Sequence, residues 1–467
     1  MQKETVSTAA SSRNVDPNRL LYSVMIPGII MPLSGWMFSV SLPVIRDHFG
    51  VEPDAAAWIA TSFSLTFMIM MPVYGRLSDS LGKRRLLLWG IALFTLGSII
   101  VVSSNTFGML LFGRVIKGLG IAGTLPISLA LITEVFSPDE RGGAMGRFSS
   151  VGPITGVVAP LLAGFVVDWG GWRMAFVPPI LIAVISMVAV YYLIPSTGRS
   201  IDWGFLLQFD WIGVLLLSLA MASLLFYLSS RPITGIDPLQ DWRLGLAAAI
   251  FTIAFVFYEL QQDQPFIRLP ILKTRSLLTG SLGAALRMMA LSGGVGFLMP
   301  LYLADVFDLN ATQSGYYLML NPAAMTIFVR LGGRWSDQYG SRRIIVFGFV
   351  IVIGFMFGMT QITAESPTWI LLSLLTVFGV GAGLMLASLH RAALNDVAEE
   401  DMGGASGLYS MIRFMGSSFG AAIAGILLAN YLGQFLNNPL QAYQQVYLWF
   451  AGFAVLGLLN ALFIPEN

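Results

Sequence analysis

The chain has 467 residues, of which 56% are hydrophobic and 11% charged, and its formal net charge at pH 7 is +1. Its mean hydropathy of +0.76 excludes a water-soluble globular protein, because no soluble core could bury so much apolar surface. The near-neutral charge gives no reason to expect nucleic acid, and the absence of cysteine excludes disulfides, thiol catalysis and thiolate metal sites. The composition therefore predicts an integral membrane protein.

Residues 1–20 are polar and lack the short apolar core of a cleaved signal peptide, so they are predicted to form a cytoplasmic N-terminal tail. Beyond them, apolar runs of about 20 residues have the length that a helix needs to cross roughly 30 Å of hydrocarbon. We count fourteen predicted spans, near 22–42, 56–76, 86–104, 107–136, 143–167, 173–194, 211–229, 242–260, 276–303, 312–333, 344–363, 367–394, 403–432 and 442–464.

An even number of spans places both termini on one side of the membrane, and lysine and arginine in the loops decide which side. With both termini in the cytoplasm, the inner segments hold sixteen of these residues and the outer loops hold four. Six more lie within the spans, namely Arg114, Lys117, Arg287, Arg330, Arg391 and Arg413. The loop charges therefore predict cytoplasmic termini.

An internal repeat divides the chain. "GRLSDSLGKRR" begins at Gly75 and "GRWSDQYGSRR" at Gly333, so the offset is 333 − 75 = 258 residues. Two homologous six-helix halves follow from it, and repeated halves around a midplane site are a transporter plan. We predict an N-terminal bundle over 21–195, a linker with two extra membrane helices over 196–265, and a C-terminal bundle over 266–467.

On these residues the chain resembles the major facilitator superfamily, whose signature loop between helices two and three has this pattern. The six-plus-two-plus-six count is similar to its fourteen-helix drug:proton antiporter subfamily. The resemblance implies an all-α membrane fold of two pseudo-symmetric bundles. It also implies a secondary transporter that exports small amphipathic compounds by proton antiport in a bacterial cytoplasmic membrane. Protons, membrane lipids and the substrate would be its partners, with no cofactor and no second subunit.

Three alternatives stay open: a lipid or glycolipid flippase, a passive facilitator of the same fold, and a membrane-embedded transferase. The transferase would need clustered polar groups or a catalytic loop, and the longer loops near 196–210 and 230–241 hold neither. No Gly-rich ATP-binding loop is present, so a primary pump is not expected. We therefore predict no enzyme activity and no metal site.

The two repeated loops are candidate gates. Asp79 and Asp337 could each face the N-terminus of a helix from the other half, where the helix dipole favours a carboxylate. Gly75 and Gly82 would allow tight turns. The cations of residues 83–85 would bind anionic lipid headgroups or partner carboxylates, or would serve only as topology anchors. The predicted gating residues are Gly75, Asp79, Gly82, Lys83, Arg84, Gly333, Arg334, Asp337 and Gly340.

Two cations lie in the fourth span, in "FGRVIKGLG". Arg114 and Lys117 share one helix face, and a charge at mid-membrane depth costs roughly 2.5–3.5 kcal/mol, so they should face water, substrate or partners. Alternatively, Arg114 binds carbonyl groups of neighbouring helices and Lys117 extends outward to the interface. The family's usual glutamine is replaced by Lys117, and its usual first-helix aspartate by Ser34.

We predict a positive substrate cavity, because these replacements remove an acid and add a base, and Arg287 is expected across the cavity. The predicted lining residues are Ser34, Trp36, Phe38, Arg114, Lys117 and Arg287. Such a cavity would attract an anionic or zwitterionic headgroup. Met-rich stretches such as "TFMIMMP" could hold its tail, or could simply pack against other helices.

Two further groups are predicted from the spans. Glu134 is the first candidate for proton coupling and Asp305 the second, although Glu134 could instead form a salt bridge to Arg141 or Arg147. Small residues at four-residue spacing in the fifth span resemble the antiporter motif, with alanine in place of two of its glycines, and could equally be ordinary helix packing. They are Gly152, Pro153, Gly156, Pro160 and Gly164.

Overall fold

The computed structural model describes residues 16–195, 203–262, 265–363, 365–398, 401–436 and 438–466, and these ranges contain helices and no strand. The α-helices are α1 Pro17–Phe49, α2 Pro53–Leu81, α3 Lys83–Val102, α4 Phe107–Ile121, α5 Thr124–Val135, α6 Pro138–Gly170, α7 Val177–Leu193, α8 Trp203–Gln208, α9 Trp211–Ser229, α10 Arg231–Thr234, α11 Trp242–Gln261, α12 Arg275–Met289, α13 Met299–Phe307, α14 Ala311–Leu318, α15 Leu320–Tyr339, α16 Ser341–Thr360, α17 Thr368–Leu394, α18 Met402–Gln434 and α19 Pro439–Leu462.

Thirteen helical segments in the described ranges are long and apolar enough to cross a membrane. The predicted tenth span, which corresponds to α14 and α15, is missing from that set because it is less apolar than the others, with Arg330, Arg334 and Asp337 in α15. Met319 between the two helices keeps helical dihedral angles, φ −67° and ψ −23°. The other thirteen predicted spans each correspond to one of these segments. The fold is therefore all-helical and membrane-spanning, and the count of fourteen stays a prediction.

The two halves are formed by α1–α7 and by α12–α19. In the sequence, α9 and α11 lie between these two groups, and they pack on each other. The halves meet where α2 lies along α18 and where α6 lies along α14 and α15. We call the side where α1 begins, at Pro17, the terminal face, and the side where α1 ends, at Phe49, the opposite face.

A π-helical stretch, Ala290–Leu298, joins α12 to α13. Its wider turn leaves backbone carbonyl groups available to other helices. The Gly296 carbonyl accepts a hydrogen bond of 2.5 Å from Ser39 Oγ in the first half, and the Gly294 carbonyl accepts one of 3.0 Å from Tyr447 Oη. This stretch therefore connects α1 of one half with α19 of the other.

Close packing of α3 against α4 depends on glycine. A Cβ at Gly120 would lie 2.5 Å from the carbonyl oxygen of Gly90, and one at Gly97 would lie 2.6 Å from the backbone nitrogen of Lys117. These contacts are too short for any side chain, so the two backbones touch directly. The glycines of "FGRVIKGLG" thereby fix α4 and its two cations inside the first half.

Candidate functional site

Arg114 points into the first half. Its Nε donates a hydrogen bond of 2.8 Å to the Ile59 carbonyl on α2, and its guanidinium lies 4.4 Å from the ring centre of Phe38 and 4.8 Å from that of Phe63. It is 3% exposed. The guanidinium is thus held by a carbonyl group and two aromatic faces, which agrees with the alternative in which it binds a neighbouring helix.

Lys117 does not extend to the interface. The residue is fully buried, its Nζ donates a hydrogen bond of 3.0 Å to Ser34 Oγ, and the rings of Phe94 and Phe176 lie 4.8 and 4.7 Å away. Ser34 and Lys117 are the two positions that depart most from the family's pattern, and the structure brings them into contact. The missing acid of α1 and the extra base of α4 are therefore parts of one arrangement.

The second half contributes two further cations. Arg287 is 3% exposed and its Nε donates 2.8 Å to the Ala382 carbonyl on α17. Arg413 lies on α18, with its guanidinium 4.7 Å from the Phe414 ring. Its Nε is buried and has no hydrogen-bond partner in the ranges that the structure describes. We call Arg114, Lys117, Arg287 and Arg413 the midplane cations.

Aromatic rings connect the cations of the two halves. The Phe63 ring, which contacts Arg114, stacks on Phe67 at 5.8 Å, and Phe67 meets the Phe414 ring edge-on at 4.8 Å across the interface between halves. Phe414 in turn contacts Arg413. Basic and aromatic side chains thus form a continuous series of contacts from Arg114 in the first half to Arg413 in the second.

Within the described residues no midplane cation forms an ion pair with a carboxylate. Buried ions cost several kcal/mol each, even after relaxation, unless an opposite charge and hydrogen bonds compensate them. Carbonyl bonds and cation–π contacts offset only part of that cost. These four basic side chains therefore have no compensating carboxylate among the described residues.

The opposite face is closed by polar contacts between the halves. Arg46 at the end of α1 forms a two-pronged ion pair with Asp305 of α13, both bonds being 2.7 Å, and Tyr443 donates to the same carboxylate at 2.5 Å. Asp168 of α6 accepts bonds of 3.2 and 2.8 Å from the backbone N–H groups of Ala311 and Thr312 at the start of α14. Asp305, a candidate for proton coupling from the sequence, therefore takes part in closing this face.

Small residues of α6 bring the halves together. A Cβ at Gly156 would lie 2.9 Å from Pro322 Cβ and 3.3 Å from Trp36 Nε1, and one at Gly164 would clash with the Ala311 carbonyl. Gly152 has open space around it instead, and Pro153 lies within α6, one turn before Gly156. Gly315 of α14 sits against the backbone of Pro160. Contact between α6 and the second half thus involves Gly156, Pro160 and Gly164, towards the opposite face.

At the terminal face the charged groups pair within each half. Glu134 pairs with Lys83, not with Arg141 or Arg147, and Asp337 pairs with Arg391. The carboxyl side chains of Glu134 and Asp337 are 57% and 69% exposed. Asp337 therefore does not engage the start of α6 in this conformation, and the side chain of Asp79 lies outside the described part of the structure.

The glycines of the repeated loops divide by conformation. Gly82 and Gly340 have φ of 86° and 87°, as expected for tight turns that favour glycine. Gly75 and Gly333 lie inside α2 and α15, so the expectation of a turn at Gly75 was wrong, since the helix continues to Leu81. Arg84 lies over the Tyr191 ring at 4.7 Å, and Arg334 is in the last turns of α15.

Several contacting residues were missed in the sequence. Phe63, Phe94 and Phe176 hold the cations of the first half, and Asp168 caps a helix of the second half. No motif marks them, because aromatic residues are frequent throughout the chain. Asn321, whose buried side-chain amide has no hydrogen-bond partner among the residues described, was missed as well.

Comparison with known proteins places the chain in a family. The sequence model of the Major Facilitator Superfamily matches residues 24–421 and 280–467. The riboflavin transporter RibZ of Clostridioides difficile is 26% identical over 96% of this chain and 97% of its own length. Multidrug resistance protein 3 of Bacillus subtilis is 27% identical over 82% of this chain and 74% of its own length.

Solved structures show the same fold. A bacterial homologue of the human lysosomal transporter Spinster, in an inward-facing and occupied conformation, superposes with a TM-score of 0.70, covering 95% of this chain and 96% of that one at 14% identity. The nucleoside transporter NupG, as its D323A mutant, superposes with a TM-score of 0.64 at 14% identity, covering 95% of this chain and 99% of that one.

These proteins are membrane transporters and not enzymes, and multidrug resistance proteins among the relatives are consistent with the drug:proton antiporter subfamily. With a family match across nearly the whole described fold, the chain belongs to the Major Facilitator Superfamily and is a multi-pass membrane transporter.

Proposed function

We propose that the protein exports small amphipathic compounds from the cytoplasm by proton antiport, with a preference for anionic or zwitterionic headgroups. The observation that carries the proposal is the set of four midplane cations without a carboxylate partner among the described residues. An anion between them would supply the missing opposite charge in a region where water screens little.

The energetics of such an exchange are favourable. Export of an anion against entry of protons moves positive charge inward, so an inside-negative membrane potential drives it by about 2.3 kcal/mol per charge per 100 mV. A proton gradient adds to that force. Anion export by antiport therefore uses both components of the proton-motive force.

An apolar tail would lie on the aromatic and methionine side chains beside the cations. Met288 and Met325 contact Arg287, and Phe63 and Phe67 extend from Arg114 towards the second half. Flexible methionines adapt to varied ligand shapes. Relatives named for riboflavin transport and for multidrug resistance support a site that takes organic compounds of this kind.

Alternating access would occur between two bundles of six membrane-spanning helices, residues 21–195 and 266–467. Residues 196–265 would supply two further spans. Together α14 and α15 would form one span of the second bundle, which brings the total to fourteen. We propose that the protein works as a monomer in the bacterial cytoplasmic membrane, with both termini in the cytoplasm, so that the terminal face is the inner one. The contacts of Asp305 and Asp168 then close the periplasmic side.

Charge selectivity is tested at Lys117. Lys117→Gln should weaken binding of dodecanoate about tenfold, because it removes one of the positive charges near the headgroup, and should leave or improve binding of dodecyltrimethylammonium. Binding is measured by calorimetry on protein in lipid nanodiscs. Arg85→Gln removes an exposed charge at the terminal face and should change neither affinity. Tight ammonium binding that is indifferent to Lys117→Gln would contradict the proposal.

Proton coupling is tested at Glu134. Its carboxylate is largely exposed at the terminal face, where it can exchange protons with that compartment. Glu134→Gln should remove the pH dependence of transport in everted vesicles and preserve substrate binding, since glutamine keeps the shape but carries no exchangeable proton. Glu140→Gln, a nearby exposed carboxylate, serves as the control. Proton-driven transport at the parental rate in Glu134→Gln would assign the coupling to Asp305 or another group.

A further inference from the structure

Two neighbouring polar side chains of the second half are buried with unused hydrogen-bonding capacity. Asn321 is 1% exposed, and neither its Nδ2 nor its Oδ1 has a hydrogen-bond partner among the described residues. Beyond the Nε bond to Ala382, the acceptors that the terminal nitrogens of Arg287 reach in the described part of the chain are sulfur atoms, Met288 Sδ at 3.9 Å and Met325 Sδ at 3.8 Å. Sulfur is a weak acceptor, so both side chains lack proper partners.

Contacts through α15 and α17 place Asn321 and Arg287 in the same region of the second half. Met325 follows Asn321 by four residues on α15 and touches Arg287, so Asn321 lies on the same helix face as that contact. On α17, Ala382 binds Arg287, and Gly379, about one turn earlier, is so close to the Asn321 carbonyl that a Cβ there would clash. On each of these two helices, the residue that contacts Arg287 thus lies about one turn from Asn321 or from its nearest neighbour.

This pair lies beside the interface between the halves. Asn321 is the second residue of α15 and follows Met319, the single residue between α14 and α15. The next residue, Pro322, packs against Gly156 of the first half. Asn321 is therefore directly adjacent in the chain to a contact between the halves.

We propose that Arg287 and Asn321 form one subsite, which binds a carboxylate that has a secondary amide next to it, as in N-acyl amino acids. The guanidinium holds the carboxylate through two parallel N–H donors. The Asn321 side-chain NH2 can donate a hydrogen bond to the C=O of the ligand amide, and its Oδ1 can accept one from the ligand N–H. The inference rests on the proposed function, since it takes the substrate to be an anionic amphiphile, and it adds the second polar group.

Three probes with similar tails test the amide. N-Dodecanoylglycine has the carboxylate and a complete amide, N-dodecanoylsarcosine lacks the amide N–H, and tetradecanoate lacks the amide altogether. Binding is measured in nanodiscs at probe concentrations below micelle formation. The parent protein should bind N-dodecanoylglycine about tenfold more tightly than tetradecanoate, with the sarcosine derivative between them. Asn321→Leu should bind all three equally, at the affinity of the parent for tetradecanoate.

Other variants separate the roles of the two residues. Arg287→Gln should weaken all three probes by about tenfold or more, because the carboxylate loses its charged partner. Ser281→Ala removes a buried hydroxyl on α12 that also has no hydrogen-bond partner within the described ranges, and it should keep the preference of the parent. The thermal midpoint of Asn321→Leu should be no lower than that of the parent, since an unpartnered buried amide is destabilising. If Asn321→Leu does not assemble, Asn321→Ala makes the same comparison.

The possible failures are distinguishable. An amide preference that survives Asn321→Leu, or equal binding of the three probes by the parent, would overturn the subsite and leave anion transport standing. A parent that binds dodecyltrimethylammonium and none of the three carboxylates would overturn the proposed function and the subsite with it.

Discussion

Asp305→Asn is expected to open the opposite face and to slow transport at least about tenfold. The substitution removes the carboxylate that holds Arg46 through two bonds of 2.7 Å and that accepts a bond from Tyr443. The side chains of this pair are only 14% and 18% exposed, so its loss should cost about 2 kcal/mol, less than the 3–5 kcal/mol of a fully buried pair. The conformation closed at this face loses that stabilisation.

The opening can be measured by labelling one introduced cysteine, because the chain contains no other cysteine that could react. Ser314 lies on α14 and is 4% exposed in the closed arrangement. Ser314→Cys combined with Asp305→Asn should react with a membrane-impermeant maleimide about tenfold faster than Ser314→Cys alone. Asp47→Asn is the matched control, because Asp47 also contacts Arg46 but is 65% exposed. Equal labelling rates would show that the Arg46–Asp305 pair does not hold this face closed.

Gly120→Leu should prevent assembly of the first half. A Cβ at this position meets the Gly90 carbonyl and the Phe94 backbone nitrogen, each at 2.5 Å, so α3 and α4 would have to separate. Backbone atoms cannot rotate away as a side chain can, and the expected destabilisation is about 3 kcal/mol or more. The measurement is the yield and thermal midpoint of monodisperse protein in detergent.

Gly108→Leu provides the control for this substitution. It lies in the same helix and adds the same side chain, but open space surrounds Gly108. Its yield and thermal midpoint should equal those of the parent. A parental thermal midpoint in Gly120→Leu would mean that α3 and α4 do not pack through their glycines.

Hydropathy and the repeated loop were sufficient to predict the helices and the family, because both are local properties of the sequence. The tenth predicted span differs from the others in composition. Asn321 and Pro322 interrupt its apolar run, and Arg330, Arg334 and Asp337 follow. The length of the run satisfied the criterion for a span, whereas its hydropathy does not reach that of the other thirteen.

The burial of Arg114, Lys117 and Arg287 follows from their positions in the spans, but their partners do not. Ile59 lies 55 residues from Arg114 and Ser34 lies 83 residues from Lys117. Such contacts depend on how helices cross in space, which one sequence does not specify. The same holds for Glu134, whose partner Lys83 is 51 residues away, whereas the predicted partners were close in the chain.

The π-helical stretch between α12 and α13 has a consequence for how mutations accumulate. Its carbonyl groups at Gly294 and Gly296 accept bonds from Tyr447 and Ser39, so the accepting side of each link belongs to the main chain. A carbonyl group is present whatever residue occupies the position. A substitution at Gly294 or Gly296 can therefore alter packing but leaves the carbonyl acceptor in place. Replacing Ser39 or Tyr447 by a residue without a hydroxyl group, in contrast, removes the donor and with it the hydrogen bond.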